Sequence, residues 1–128
     1  MSKELTSLVA RLLLSAIFLR SLWAKLANFD GSLGLMTSKG LPGGWVGAVL
    51  LGCAIATLAG ASLAVLTGWK ARVGAWVLFA YLIPVTLIFH GDVSARGEWI
   101  HLTKNLSIMG GLLLLATHGP GRYAAGRG

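Results

Sequence analysis

The chain has 128 residues, of which 55% are hydrophobic and only 12% charged. A soluble domain carries about a quarter charged residues, so the composition excludes an ordinary aqueous fold and makes lipid the expected solvent. The net charge of +7 comes from basic residues scattered along the chain, with no run or aromatic-interleaved patch. It points to lipid headgroups, not nucleic acid, as the anionic partner.

The first apolar stretch runs from about Leu5 to Ala27. Met1 to Lys3 is polar, as at the start of a signal peptide, but Arg11 and Arg20 interrupt the run and no small-x-small cleavage site precedes a polar region. The segment is therefore expected to be retained as a membrane span. The second stretch covers Trp45 to Thr67, the third Val73 to Phe89 and the fourth Ile100 to Thr117. A helix rises about 1.5 Å per residue across a hydrocarbon core of about 30 Å, so the last two are only just long enough to cross. The runs are continuous, whereas barrel strands would alternate over about ten residues. The expected fold is all-α, a transmembrane four-helix bundle in a single domain over residues 1–128.

An even number of spans puts both termini on one side. That side holds Lys3, Lys70, Arg72, Arg122 and Arg127, against Lys25, Lys39, Arg96 and Lys104 on the other. The bias of five to four favours cytoplasmic termini by the positive-inside rule. Of Trp23, Trp45, Trp69, Trp76 and Trp99, four lie near span ends, where an amphipathic ring settles at the interface. Cys53, the single cysteine, can make no internal disulfide.

In the second span Gly44, Ala48, Gly52, Ala56, Gly60, Ala64 and Gly68 recur every fourth residue. Four residues overshoot a turn of 3.6 by about 40°, so the stripe winds around the helix and suits a neighbour that crosses at an angle. Whether that neighbour belongs to this chain or to another subunit is open at this level. In the third span Pro84 removes a backbone donor and opposes the carbonyl of Ala80, which predicts a kink. Thr86 is placed to re-satisfy freed backbone groups.

Ionisable side chains gather at the non-cytoplasmic rim. Lys25 closes the first span, His90 and Asp92 the third, and Glu98, His101, Lys104 and Asn105 open the fourth, with Arg20 able to join by snorkelling. His101, Lys104 and Asn105 are spaced by three and four residues and share a helix face. Such a rim is suited to a small anion or to the carbonyls of a quinone headgroup, with His or carboxylate relaying protons. Interfacial Lys and His also reach headgroups without forming any site. A bis-histidine haem fits poorly, because His90 and His101 share one rim and His118 lies at the other end. No Cys-x-x-Cys, metal-spaced His/Asp/Glu set, phosphate loop or Gly-x-Ser-x-Gly elbow occurs, so no metal, nucleotide or hydrolase chemistry is indicated.

The run Lys104-Asn105-Leu106-Ser107-Ile108-Met109-Gly110-Gly111, the exit Gly119-Pro120-Gly121-Arg122, and the opening Ser21, Lys25-Leu26, Asn28-Phe29 followed by Ser38-Lys39-Gly40-Leu41-Pro42 resemble the DoxX family over essentially the whole chain. The resemblance implies a small four-helix protein of the bacterial inner membrane, in a family linked to quinone-dependent oxidation of sulfur compounds and to oxidoreductase complexes. The matching positions are Ser21, Lys25, Asn28, Lys104, Asn105 and Gly119 to Arg122. Two departures stand out. The family commonly carries a glutamate in the second helix, where this chain reads Thr57-Leu58-Ala59-Gly60-Ala61, and Arg20 occupies a usually apolar place. Without that carboxylate a proton carrier is missing, so the expectation is an accessory or structural subunit of a membrane oxidoreductase, respiratory or photosynthetic complex, bound to other membrane subunits and lipid and not catalytic alone. The alternative is a quinone-linked redox protein acting on a small sulfur compound at the outer rim.

Overall fold

The computed structural model describes residues 2–89 and 96–121. Helix α1, Lys3–Ala27, starts where the Ser2 hydroxyl accepts the Leu5 N–H at 3.2 Å, and it carries Glu4 in its first turn and Lys25 in its last. These charges complement the positive and negative ends of the helix dipole. Asn28 then serves two helices at once. Its N–H donates to the Ala24 carbonyl at the end of α1, and its side chain accepts from the Gly31 N–H at the start of α2, Phe29–Ser38.

The remaining helices are α3, Gly44–Thr67, α4, Ala71–Phe89, and α5, Arg96–His118. The bounds of α1, α3, α4 and α5 lie within four residues of the expected spans at each end, but α2 falls in the stretch read as a loop. Helices α1, α3 and the Trp99–His118 part of α5 are long and apolar enough to cross a membrane. With 19 residues, α4 measures about 28 Å, close to the thickness of the hydrocarbon core. At Gly68 and Gly119 the backbone turns left-handed, with φ of 86° and 81°, and each N–H returns to the carbonyl four residues back. Glycine ends both helices because only it takes this conformation without strain.

Helix α3 is the centre, flanked by α1 and α4, while α5 packs on α4 and touches α1 at few points. The core joins Phe18, Leu58, Val65, Leu78, Leu82 and Leu112. The outside is strongly apolar: Leu13 and Leu87 are 70% exposed, and Trp23 and Trp45 are 71% and 79% exposed. Since lipid tails are as apolar as leucine, apolar burial alone cannot hold these helices together.

Close backbone approach and polar clamps supply the rest. A Cβ at Gly74 of α4 would stand 2.9 Å from the Ala61 carbonyl oxygen and 2.9 Å from the Ala64 Cβ of α3. The α3 stripe itself divides. Ala64 packs on Gly74 and Gly68 is buried, whereas Gly52, Ala56 and Gly60 are exposed, and a Cβ at Gly44, Gly52 or Gly60 would meet nothing within 4 Å. On the side holding the termini, the fully buried Arg11 donates through Nη1 to the carbonyls of Val65, at 3.3 Å, and Leu66, at 3.0 Å. Arg72 donates likewise to the Thr117 carbonyl at 3.0 Å. These carbonyls belong to the last turns of α3 and α5, where the helix provides no donor.

Candidate functional site

At the opposite end, four helices and a connector line an open-sided cavity of about 600 Å³. Each helix contributes positions that its own periodicity places on one face. From α1 come Ser21 and Lys25, one turn apart, and from α2 and its C-cap come Ser32, Leu35, Met36 and Lys39 at the i, i+3, i+4, i+7 spacing of a helical stripe. Leu50, Leu51 and Ala54 of α3, Tyr81, Pro84 and Val85 of α4, and Leu41 complete the wall. Asn28 makes this possible by ending α1 and starting α2 at a single residue, which lays α2 against the outer ends of α1 and α3. The join is close: a Cβ at Gly47 of α3 would collide with the Pro42 carbonyl and lie 2.9 Å from the Leu33 Cδ1 of α2.

Polarity in the cavity follows depth. Lys25 and Lys39 sit at the outer ends of α1 and α2, whereas Ala54 lies ten residues into α3, about 15 Å along its axis. Ser21 and Tyr81 place two hydroxyls further in than the lysines. Every polar group in the wall can donate a hydrogen bond, and the described wall contains no carboxylate. Neither lysine ammonium makes a hydrogen bond or ion pair among the described residues. Chemically, this is a donor-rich mouth over an apolar floor, fitted to an amphiphile whose head carries acceptor oxygens.

The residues expected to converge on the outer rim are not all brought together. Lys25 lines the cavity, half-buried. Arg20 is exposed and does not line it. His101 and Lys104 are exposed, with Nδ1 and Nζ 3.4 Å apart, on a surface apart from the described wall. Asn105 turns the other way, is 5% exposed and donates to Thr86 Oγ1 at 3.2 Å. Thr86 thus joins α4 to α5. His90 and Asp92 lie outside the described residues, as does the side chain of Glu98, whose backbone is in the first turn of α5. Among the described residues no three of His, Cys, Asp and Glu come together as a metal site would require.

Sequence reasoning passed over Lys39, Tyr81 and Ser32 as site residues. The signal for Lys39 and Ser32 was the helical stripe 32, 35, 36, 39, too short to register beside the long spans. Tyr81 carried only its place one turn before Pro84.

The family model described as DoxX matches residues 6–91. Among curated proteins, the chain is 32% identical to "Inner membrane protein YqjF" of Escherichia coli (strain K12) over 120 residues, which cover 94% of this chain and 88% of that protein. It is 30% identical to "Inner membrane protein YphA" of the same organism over 125 residues, covering 94% and 87%. No solved structure matches.

Proposed function

Because the chain belongs to the DoxX family, we propose that it is a multi-pass protein of the bacterial inner membrane, with cytoplasmic termini, that serves a membrane oxidoreductase as an accessory subunit and holds a quinone headgroup in its outer cavity. The carrying observation is the cavity's composition. Lys25, Lys39 and Ser32 toward the mouth and Ser21 and Tyr81 further in offer donors at two levels, which suits a ring with carbonyls at its two poles, while Leu50, Leu51 and Val85 face its apolar substituents. The inner-membrane location is supported by the names of both relatives. The described wall holds no carboxylate or imidazole, and in this reading electron transfer belongs to a partner subunit.

A second reading, a purely architectural subunit, is favoured by the exposed Gly52, Ala56 and Gly60 of α3. A helix of another subunit can approach closely along them.

Quinone retained after gentle solubilisation distinguishes the two. Wild type and Lys104→Ala are expected to keep quinone through purification, and Lys25→Ala to lose it. Wild-type protein free of quinone, recovered with a large complex whose assembly fails on Gly52→Leu with Gly60→Leu, would leave only the architectural reading.

A further inference from the structure

The outer cavity holds more positive charge than a neutral quinone satisfies. The half-buried Lys25 and the exposed Lys39 line it without an ionic or hydrogen-bonded partner among the described residues, and Asp30, the acid on α2, is exposed and outside the described wall. An ammonium at the edge of hydrocarbon is costly and ordinarily faces water or an opposite charge. Lys25 and Lys39 stand at the ends of α1 and α2, and the apolar wall of Leu50, Leu51 and Ala54 lies about 9–15 Å along α3 from its outer end. Lysines at the mouth and an apolar α3 wall deeper in, with the Ser21 and Tyr81 hydroxyls on the facing helices, match the layout of one single-chain amphiphile standing in a leaflet. The cavity volume of about 600 Å³ falls within the roughly 300–1,000 Å³ of small-ligand sites.

The geometry points to a second occupant of this cavity, a long-chain carboxylate with its head between Lys25 and Lys39 and its chain along the α3 wall. This rests on reading the cavity as a ligand site. A neutral quinone and the carboxylate share the space, so each excludes the other. The consequence is that free fatty acid in the outer leaflet regulates quinone occupancy.

The test uses the intact protein in vesicles of neutral phosphatidylcholine, with a diazirine-bearing fatty acid and its matching fatty alcohol as photolabels. The acid is expected to label the segments around residues 50–54 or 81–85, with decylubiquinone suppressing the labelling. Lys25→Gln with Lys39→Gln should cut labelling by about tenfold, as loss of charge-assisted hydrogen bonds implies. The paired arginine variants should retain it. Equal labelling by acid and alcohol, or labelling indifferent to the glutamine variants, would overturn the inference. Lysine-dependent labelling that decylubiquinone leaves untouched would uphold the carboxylate site and defeat the quinone reading. Quinone retention with no acid labelling would do the reverse.

Discussion

Gly74 allows the α3–α4 crossing to be tested on a single methyl group. In Gly74→Ala the new carbon would lie 2.9 Å from both the Ala61 carbonyl oxygen and the Ala64 Cβ, several tenths of an ångström inside contact distance. Neither obstacle can rotate aside, since one is helix backbone and the other the first carbon of a side chain. Overpacking of this kind costs about 1–3 kcal/mol, and replacing glycine in a helix returns up to about 1 kcal/mol. Gly60→Ala gains the same propensity in open space. The propensity cancels in the comparison, so Gly74→Ala should be less stable than Gly60→Ala by about 1–3 kcal/mol. Unfolding by SDS titration in mixed micelles, followed by tryptophan fluorescence, measures this gap directly. Equal stability of the two variants, or a more stable Gly74→Ala, would refute the tight crossing.

Arg11→Met should lower stability in the same titration by about 2–4 kcal/mol, because the Val65 and Leu66 carbonyls lose their donor while remaining inside the protein; a loss under about 0.5 kcal/mol, the size of an ordinary surface substitution, would show the clamp to be idle. A double-mutant cycle on Thr86→Val and Asn105→Leu should give a coupling near 0.6 kcal/mol and no more than about 1.7 kcal/mol, the span for interhelical hydrogen bonds in membranes, and zero coupling would remove this α4–α5 bond. For orientation, Gly34→Cys on the exposed face of α2, in a Cys53→Ser background, should react with an impermeant maleimide added to spheroplasts. Reaction only after lysis would reverse the proposed topology.

The long elements were legible because membrane crossing writes itself as length and hydropathy, which need no knowledge of neighbours. Helix α2 was not, since ten residues beginning at an asparagine corner look like a polar connector until α1 and α3 are in place to receive them. The stripe on α3 was visible, but its partner was not. The close approach is made by Gly74, one glycine on the opposite helix without any repeat, and only the Ala64 end of the stripe meets it. The outer-rim residues show the same limit. Spacing put His101, Lys104 and Asn105 on one face, yet a helix face is broad, and the rotation of α5 against α4 decides that Asn105 alone is buried. Arg11 read as an interruption of an apolar run, because the carbonyls it serves lie 54 and 55 residues downstream.

That separation has a bearing on how the protein is made. A ribosome adding about 5–20 residues per second incorporates Arg11 roughly 3–11 s before the carbonyls of Val65 and Leu66 exist. Throughout that interval an arginine, a residue that is costly within an inserting helix, sits eight residues into a segment whose Val65 and Leu66 acceptors are still unmade. The nascent α1 must linger beside the translocon, or with its guanidinium drawn back to the headgroups, until α3 is threaded in. A chain truncated after residue 43 should therefore insert poorly, and Arg11→Leu in that fragment should restore insertion.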